Sequence, residues 1–151
     1  MRVPRRRLAV GVVFSYGSYA ATVAEVSVAR DGTPRVHKLV TGIDAGLAVN
    51  PDQVKAQMEG GAVYALTSVY YGLITVDKGR VQQSNFHDYK MLRINEMPVV
   101  EVHILDSGGK VGGLGEPGVP SVAPAVCNAI YALTGKRLRT LPIDTSLLKR
   151  A

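Results

Sequence analysis

Apolar positions along the chain follow two different periods, and the change of period marks where strands give way to helices. Residues 8–15 read as a strand. Residues 21–29 and 35–42 are extended runs joined by Arg30-Asp31-Gly32-Thr33, and Asp-Gly between such runs is a strong hairpin signal. A second hairpin is predicted over residues 73–84 around Asp77-Lys78-Gly79. Residues 98–105 alternate cleanly, with Val100, Val102 and Ile104 on one face and Val99, Glu101 and His103 on the other.

The longer period begins at Asn50. Asn50 is a natural cap, Pro51 suits the first helical position, and Gln53 stands where a capping box would place it. Val54, Met58, Ala62, Leu66 and Val69 then recur every three or four residues as one apolar stripe. Gly60-Gly61 interrupts the helix at a cost of about 1 kcal/mol per glycine relative to alanine. Such a cost indicates a close approach to the backbone, either by another helix or by a ligand. A last helix is predicted over residues 123–134, closed by Gly135 with Lys136 and Arg137 just beyond. Strand pairs with singly inserted helices predict an α+β fold, with a mainly antiparallel sheet and two principal helices.

The 151 residues suit one domain, read as a basic tail over residues 1–7 and a folded unit over 8–151. Apolar residues make up 46% and charged residues 20%, which is a globular rather than a disordered composition. The longest mostly apolar stretch, residues 8–28, is broken by Ser15, Gly17, Ser18, Thr22 and Glu25, so no membrane insertion is expected. The net charge of +6 comes largely from the two ends, Arg2, Arg5, Arg6 and Arg7 against Lys136, Arg137, Arg139, Lys149 and Arg150. No aromatic residues interleave with either cluster, which argues against a nucleic-acid partner. The single cysteine, Cys127, excludes an internal disulfide and an iron–sulfur cluster held by this chain alone.

Candidate chemistry concentrates in the glycine- and proline-rich residues 108–124. Gly113-Leu114-Gly115-Glu116-Pro117-Gly118 matches the dinucleotide pattern in letters only. Pro117, Pro120 and Pro124 delay the following helix, no βαβ unit follows, and Glu116 would repel a pyrophosphate. The segment reads better as a rigid loop presenting one carboxylate, which acts as a general base when its surroundings desolvate it. Composition alone leaves an exposed loop glutamate as the commoner case. His37, His87 and His103 fall on different predicted elements, with no spacing typical of a metal site. In Asn85-Phe86-His87-Asp88-Tyr89 a turn closed by Asn and Asp side chains is favoured over catalysis by His87. Ser121 has no base placed beside it.

An ordered series of segments then resembles one family over residues 11–143. It comprises Val23-Ala24-Glu25-Val26-Ser27-Val28, Asp44-Ala45-Gly46, Val49-Asn50-Pro51 and Ala56-Gln57-Met58-Glu59-Gly60-Gly61. It continues with Ser84-Asn85-Phe86-His87-Asp88-Tyr89, Gly112-Gly113-Leu114-Gly115-Glu116-Pro117-Gly118, Ala123-Pro124-Ala125-Val126, Thr134-Gly135-Lys136-Arg137 and Leu141-Pro142-Ile143. The series is similar to the C-terminal portion of the molybdopterin-binding large subunit of molybdenum hydroxylases. That group is the xanthine dehydrogenase and aldehyde oxidase superfamily, and the series is nearest its isoquinoline 1-oxidoreductase beta subunits.

The resemblance implies hydroxylation of an N-heterocycle or aldehyde carbon with oxygen from water. It implies molybdopterin cytosine dinucleotide carrying molybdenum, and [2Fe–2S] clusters on a partner subunit. Glu116 falls on the family's general base. Gln57 matches a position that hydrogen-bonds the pterin, Gly60 and Gly61 pack near the cofactor, and Gly113 and Gly115 shape the loop around the base. Asp44, Asn50 and Tyr89 match positions read as structural. Family subunits are several times longer, so the expected partners are the remainder of the molybdenum subunit, the [2Fe–2S] subunit and a small-molecule substrate. Alone, the chain is expected to be inactive and to expose apolar surface. The competing expectation is a non-catalytic remnant or assembly module. No compartment is implied.

Overall fold

A computed structural model describes residues 5–149; of the predicted basic tail, Met1–Pro4 lie outside the described residues, as do Arg150 and Ala151. The main sheet has the order β1-β2-β3-β6, built from β1 (Arg6–Ser15), β2 (Ser18–Val28), β3 (Pro34–Asp44) and β6 (Val99–Leu105). The first three strands pair antiparallel in sequence order, and β6 joins β3 in parallel. This is the expected α+β architecture with a mainly antiparallel sheet.

The chain starts β1 at Arg6 and turns through Tyr16 and Gly17 directly into β2, so the first strand pair is itself a hairpin. Tyr16 (φ 52°) and Gly17 (φ 80°) both take the left-handed conformation that a two-residue turn of this twist requires. The Asp31-Gly32 hairpin forms between β2 and β3 as expected, with Gly32 at φ 91°. The hairpin expected over residues 73–84 shrinks to β4 (Val76–Asp77) and β5 (Arg80–Val81), whose four residues are all exposed. A two-stranded ribbon with no apolar face to bury has little to hold it longer.

Helix α1 (Pro51–Tyr70) starts as the sequence indicates: the Asn50 side chain accepts from the amides of Asp52 and Gln53 at 3.2 and 3.3 Å. All five residues of the anticipated stripe are buried, and Gly61 and Ala65 widen it. Helix α2 (Val122–Thr134) ends at Gly135 (φ 71°), whose amide donates to the Tyr131 carbonyl at 2.7 Å. Both helices lie on one side of the sheet. Their Ala62, Leu66 and Val69, and Val122, Val126 and Ile130, meet Ala24, Val26 and Leu39 in the main core. The opposite side of the sheet leaves Leu8, Val12, Phe14 and Tyr19 more than half exposed.

Two further contacts tie α2 to the sheet. Thr22, Thr41 and Ser121 form a buried chain of hydroxyls, 3.0 Å between Thr22 and Thr41 and 2.8 Å between Thr22 and Ser121. Satisfying these polar groups mutually is what makes their burial tolerable. Ser121 is therefore a structural group. A second apolar cluster of Ala20, Ile43, Val54 and Met58, with Leu114 packed against it, joins the sheet to the first half of α1.

Candidate active site

Residues 106–121 return from β6 to α2 across the end of the sheet, and successive anchors fix their course. Ser107 donates to the Asp44 carboxylate at 2.9 Å, while the same oxygen accepts from the Gly46 amide at 3.0 Å. The Gly112 amide donates to the Ala45 carbonyl at 3.0 Å, and the Gly113 amide to the Tyr16 carbonyl at 2.8 Å. Beyond them the half-buried Leu114 packs against the second apolar cluster, and the Val119 amide closes a turn on the Glu116 carbonyl at 2.8 Å. Pro117 and Gly118 are buried, whereas Glu116 between the anchors is exposed.

Helix α1 meets this loop along the Gln57–Gly61 turn. The Gln57 carboxamide donates to the carbonyls of Leu114 and Gly115, each at 3.4 Å. A Cβ on Gly61 would lie 3.1 Å from the Gly118 carbonyl carbon, and one on Gly118 would lie 3.1 Å from Met58 Sδ. So Gly61 is a glycine because loop backbone crosses the helix there. Gly60 and Gly115 differ: a Cβ on either would meet nothing within 4 Å. A Cβ on Gly113 would meet Tyr16 Cβ at 2.9 Å, so that glycine lets the loop dock on the hairpin tip.

The six residues singled out in the sequence thus gather on two touching segments. Gln57, Gly60, Gly115 and Glu116 are exposed on them, and Gly61 is buried at the crossing. The surface beside Gly60 and Gly115 is open, and an exposed carboxamide and an exposed carboxylate stand next to it. Sequence reasoning did not find Ser18, which is buried at the start of β2 and donates to the Gly113 carbonyl at 2.6 Å.

The other titratable clusters lie elsewhere. His37 bonds Ser27 and His103 bonds Glu101, both at 2.7 Å, and His87 stands 3.6 Å from Asp88. Among the described residues no group of three or more His, Cys, Asp or Glu side chains could hold a metal ion. Also among them, no helix is long and apolar enough to cross a membrane.

Asp88 closes the Asn85 turn by accepting from the amides of Ser84 and Asn85, and those bonds hold its carboxyl down to about 2. Because the folded value lies below the ordinary value of 3.8, the turn's stabilisation is present above that value. It is lost as the pH falls through about 2. The Ser84 and Asn85 amide resonances are therefore expected to shift together with a midpoint near 2; a midpoint at the ordinary carboxylate value would contradict the bonding.

A family model described as a molybdopterin cofactor-binding domain matches residues 5–98. That span contains Gln57, Gly60 and Gly61 and stops short of Glu116. The beta subunit of the isoquinoline 1-oxidoreductase of Brevundimonas diminuta is 36% identical over 143 residues, 93% of this chain and 18% of that protein. A subunit of the nicotinate dehydrogenase of Pseudomonas putida is 33% identical over 137 residues, 89% of this chain and 12% of that protein. Among solved structures, quinoline 2-oxidoreductase from Pseudomonas putida 86 superimposes with a TM-score of 0.75 at 23% identity, over 85% of this chain and 18% of that one. The aldehyde oxidoreductase from Desulfovibrio gigas gives 0.74 at 21% identity, over 89% and 16%. The chain therefore spans less than a fifth of the length of each of these proteins.

Proposed function

The chain belongs to the molybdopterin cofactor-binding domain family, and we propose that it is the part of a molybdenum hydroxylase that carries the general base, Glu116. The observation that carries this reading is the meeting of the Gln57–Gly61 turn with the glycine loop. It leaves a carboxamide, open glycine flanks and one carboxylate exposed side by side. When bound, molybdenum on molybdopterin cytosine dinucleotide supplies the two-electron acceptor, and [2Fe–2S] clusters on a partner subunit carry the electrons away.

The protein's share is position and proton transfer. Gln57 holds its long bonds to Leu114 and Gly115 weakly enough to turn its amide toward the pterin. Gly60 and Gly115 leave room for the cofactor, while Gly61 and Gly113 fix the loop at either side of the base. A Glu116 carboxylate oxygen takes the proton from the water-derived hydroxyl that attacks an electron-poor carbon. That carbon belongs to an aldehyde or lies beside a ring nitrogen. Turnover requires the remainder of the molybdenum subunit to cover this open face, so the chain alone is inactive.

The test is a gentle pull-down of the C-terminally tagged chain from its host, with metal analysis of the eluate. Molybdenum and iron recovered together with larger partners is the expected result. A lone, metal-free chain would instead mark a non-catalytic remnant or an assembly module.

A further inference from the structure

We propose that Ser18 is a positioning residue for Glu116, holding the loop that carries the base through the tip of the β1–β2 hairpin. This rests on the assignment of Glu116 as the base. Ser18 is fully buried, and its hydroxyl donates to the Gly113 carbonyl at 2.6 Å. Two residues away the same strand turn accepts from the loop, Gly113 amide to Tyr16 carbonyl at 2.8 Å. The two bonds bracket a single peptide segment, so Gly113 is held at both its donor and its acceptor.

The contact leaves no slack. A Cβ on Gly112 would run into Ser18 Oγ and lie 2.7 Å from the Gly17 backbone. At the tip, Tyr16 and Gly17 hold the left-handed backbone of a tight turn, and the Phe14 and Tyr19 rings pack across the strand pair with centroids 4.6 Å apart. Downstream, Gly118 is wedged against Met58 and Gly61. Glu116 therefore projects from a short span fixed at both ends, and Gln57 touches only its middle. Ser18 and Gln57 differ in burial: the Ser18 bond is short and its donor is buried, whereas the Gln57 bonds are exposed and long. The buried Ser18 hydroxyl has no water to turn to, so it holds its one acceptor more firmly.

Three elements meet at this point: the tip of the hairpin, the Ala45 carbonyl beyond β3, and the glycine loop. Loss of the Ser18 hydroxyl takes from the exposed loop its bond to the buried start of β2, and the loop answers by moving rather than the sheet. Misplacement of a catalytic group by about an ångström costs up to about a hundredfold in rate.

The experiment makes Ser18→Ala in the assembled enzyme and follows hydrogen exchange together with steady-state kinetics. Exchange at Gly113 and its neighbours is expected to quicken roughly tenfold, with the α2 amides unchanged. In the same variant kcat is expected to fall between about tenfold and a hundredfold, with KM and molybdenum content held. Gly112→Ala strikes the same contact from the loop side and is expected to reproduce the pattern. Unchanged exchange in the loop, exchange rising uniformly through the sheet, or a loosened loop with full kcat would each overturn the proposal. Normal turnover in Glu116→Gln would sink the base assignment alone, and the exchange comparison would still report whether Ser18 holds the loop.

Discussion

Glu116→Gln in the assembled enzyme is expected to lower turnover about a hundred- to ten-thousandfold while molybdenum stays bound. Glutamine keeps the size and the hydrogen-bonding oxygen of the native side chain but cannot take up a proton at neutral pH. The loop would keep its course, because its anchors are backbone groups of Gly112, Gly113 and Gly118 and the side chain of Leu114, none of which involves the Glu116 carboxylate. Cofactor retention, carried by the neighbouring Gln57 and the glycine flanks, should be preserved. The informative pairing is therefore metal content with kcat. Full molybdenum and near-zero turnover is the signature of a lost base. Full molybdenum and full turnover would remove Glu116 from the mechanism. Glu101→Gln is a suitable control, because Glu101 is engaged with Lys38 and His103 on the sheet, away from the loop.

The elements legible in the sequence are those whose signals are local. Asn50-Pro51 announces α1 because capping needs only the next three residues, and Gly135 stops α2 because it must adopt a left-handed turn. Two features have no local signal. The parallel pairing of β3 with β6 joins segments some sixty residues apart, from Lys38 opposite Val99 to Asp44 opposite Leu105, and alternation within either strand is silent about its neighbour. The β1–β2 turn is concealed because Tyr16, not Asn or Asp, takes the first left-handed position.

The candidate site was drawn from family resemblance more than from spacing. Gln57 and the glycine loop are separate in sequence, and only the fold brings the carboxamide to Leu114 and Gly115. The paired glycines illustrate the limit well. The sequence presents Gly60 and Gly61 as one interruption with two equal explanations. Gly61 answers to a crossing of backbone by Gly118, whereas Gly60 faces open space. Ser18 escaped notice because a serine beside a glycine turn is ordinary, and its partner stands ninety-five positions away.

Gly11→Ala is expected to destabilise the chain by about 3 kcal/mol, near the upper end for overpacking a tight contact. Local preference points the other way, since replacing glycine within a strand by alanine typically gains about 0.5–1 kcal/mol. Sterics decide the sign. A Cβ at position 11 would collide with the Ser121 carbonyl oxygen and lie 2.9 Å from both the Ala125 amide nitrogen and Pro124 Cγ. Two of those neighbours are backbone, so no rotamer change relieves the clash and the first turn of α2 must lift from β1. That turn is pinned by Ser121 to the Thr22–Thr41 hydroxyls, so lifting it also strands buried polar groups. Gly60→Ala supplies the opposite case. With nothing within 4 Å of the added methyl, the helix should gain about 1 kcal/mol while the loaded enzyme retains less cofactor. Denaturant midpoints at constant slope measure both stabilities. A raised midpoint for Gly11→Ala would mean that α2 does not seat on β1 at this glycine, and the exit of the Glu116 loop, which leads straight into α2, would have to be drawn differently.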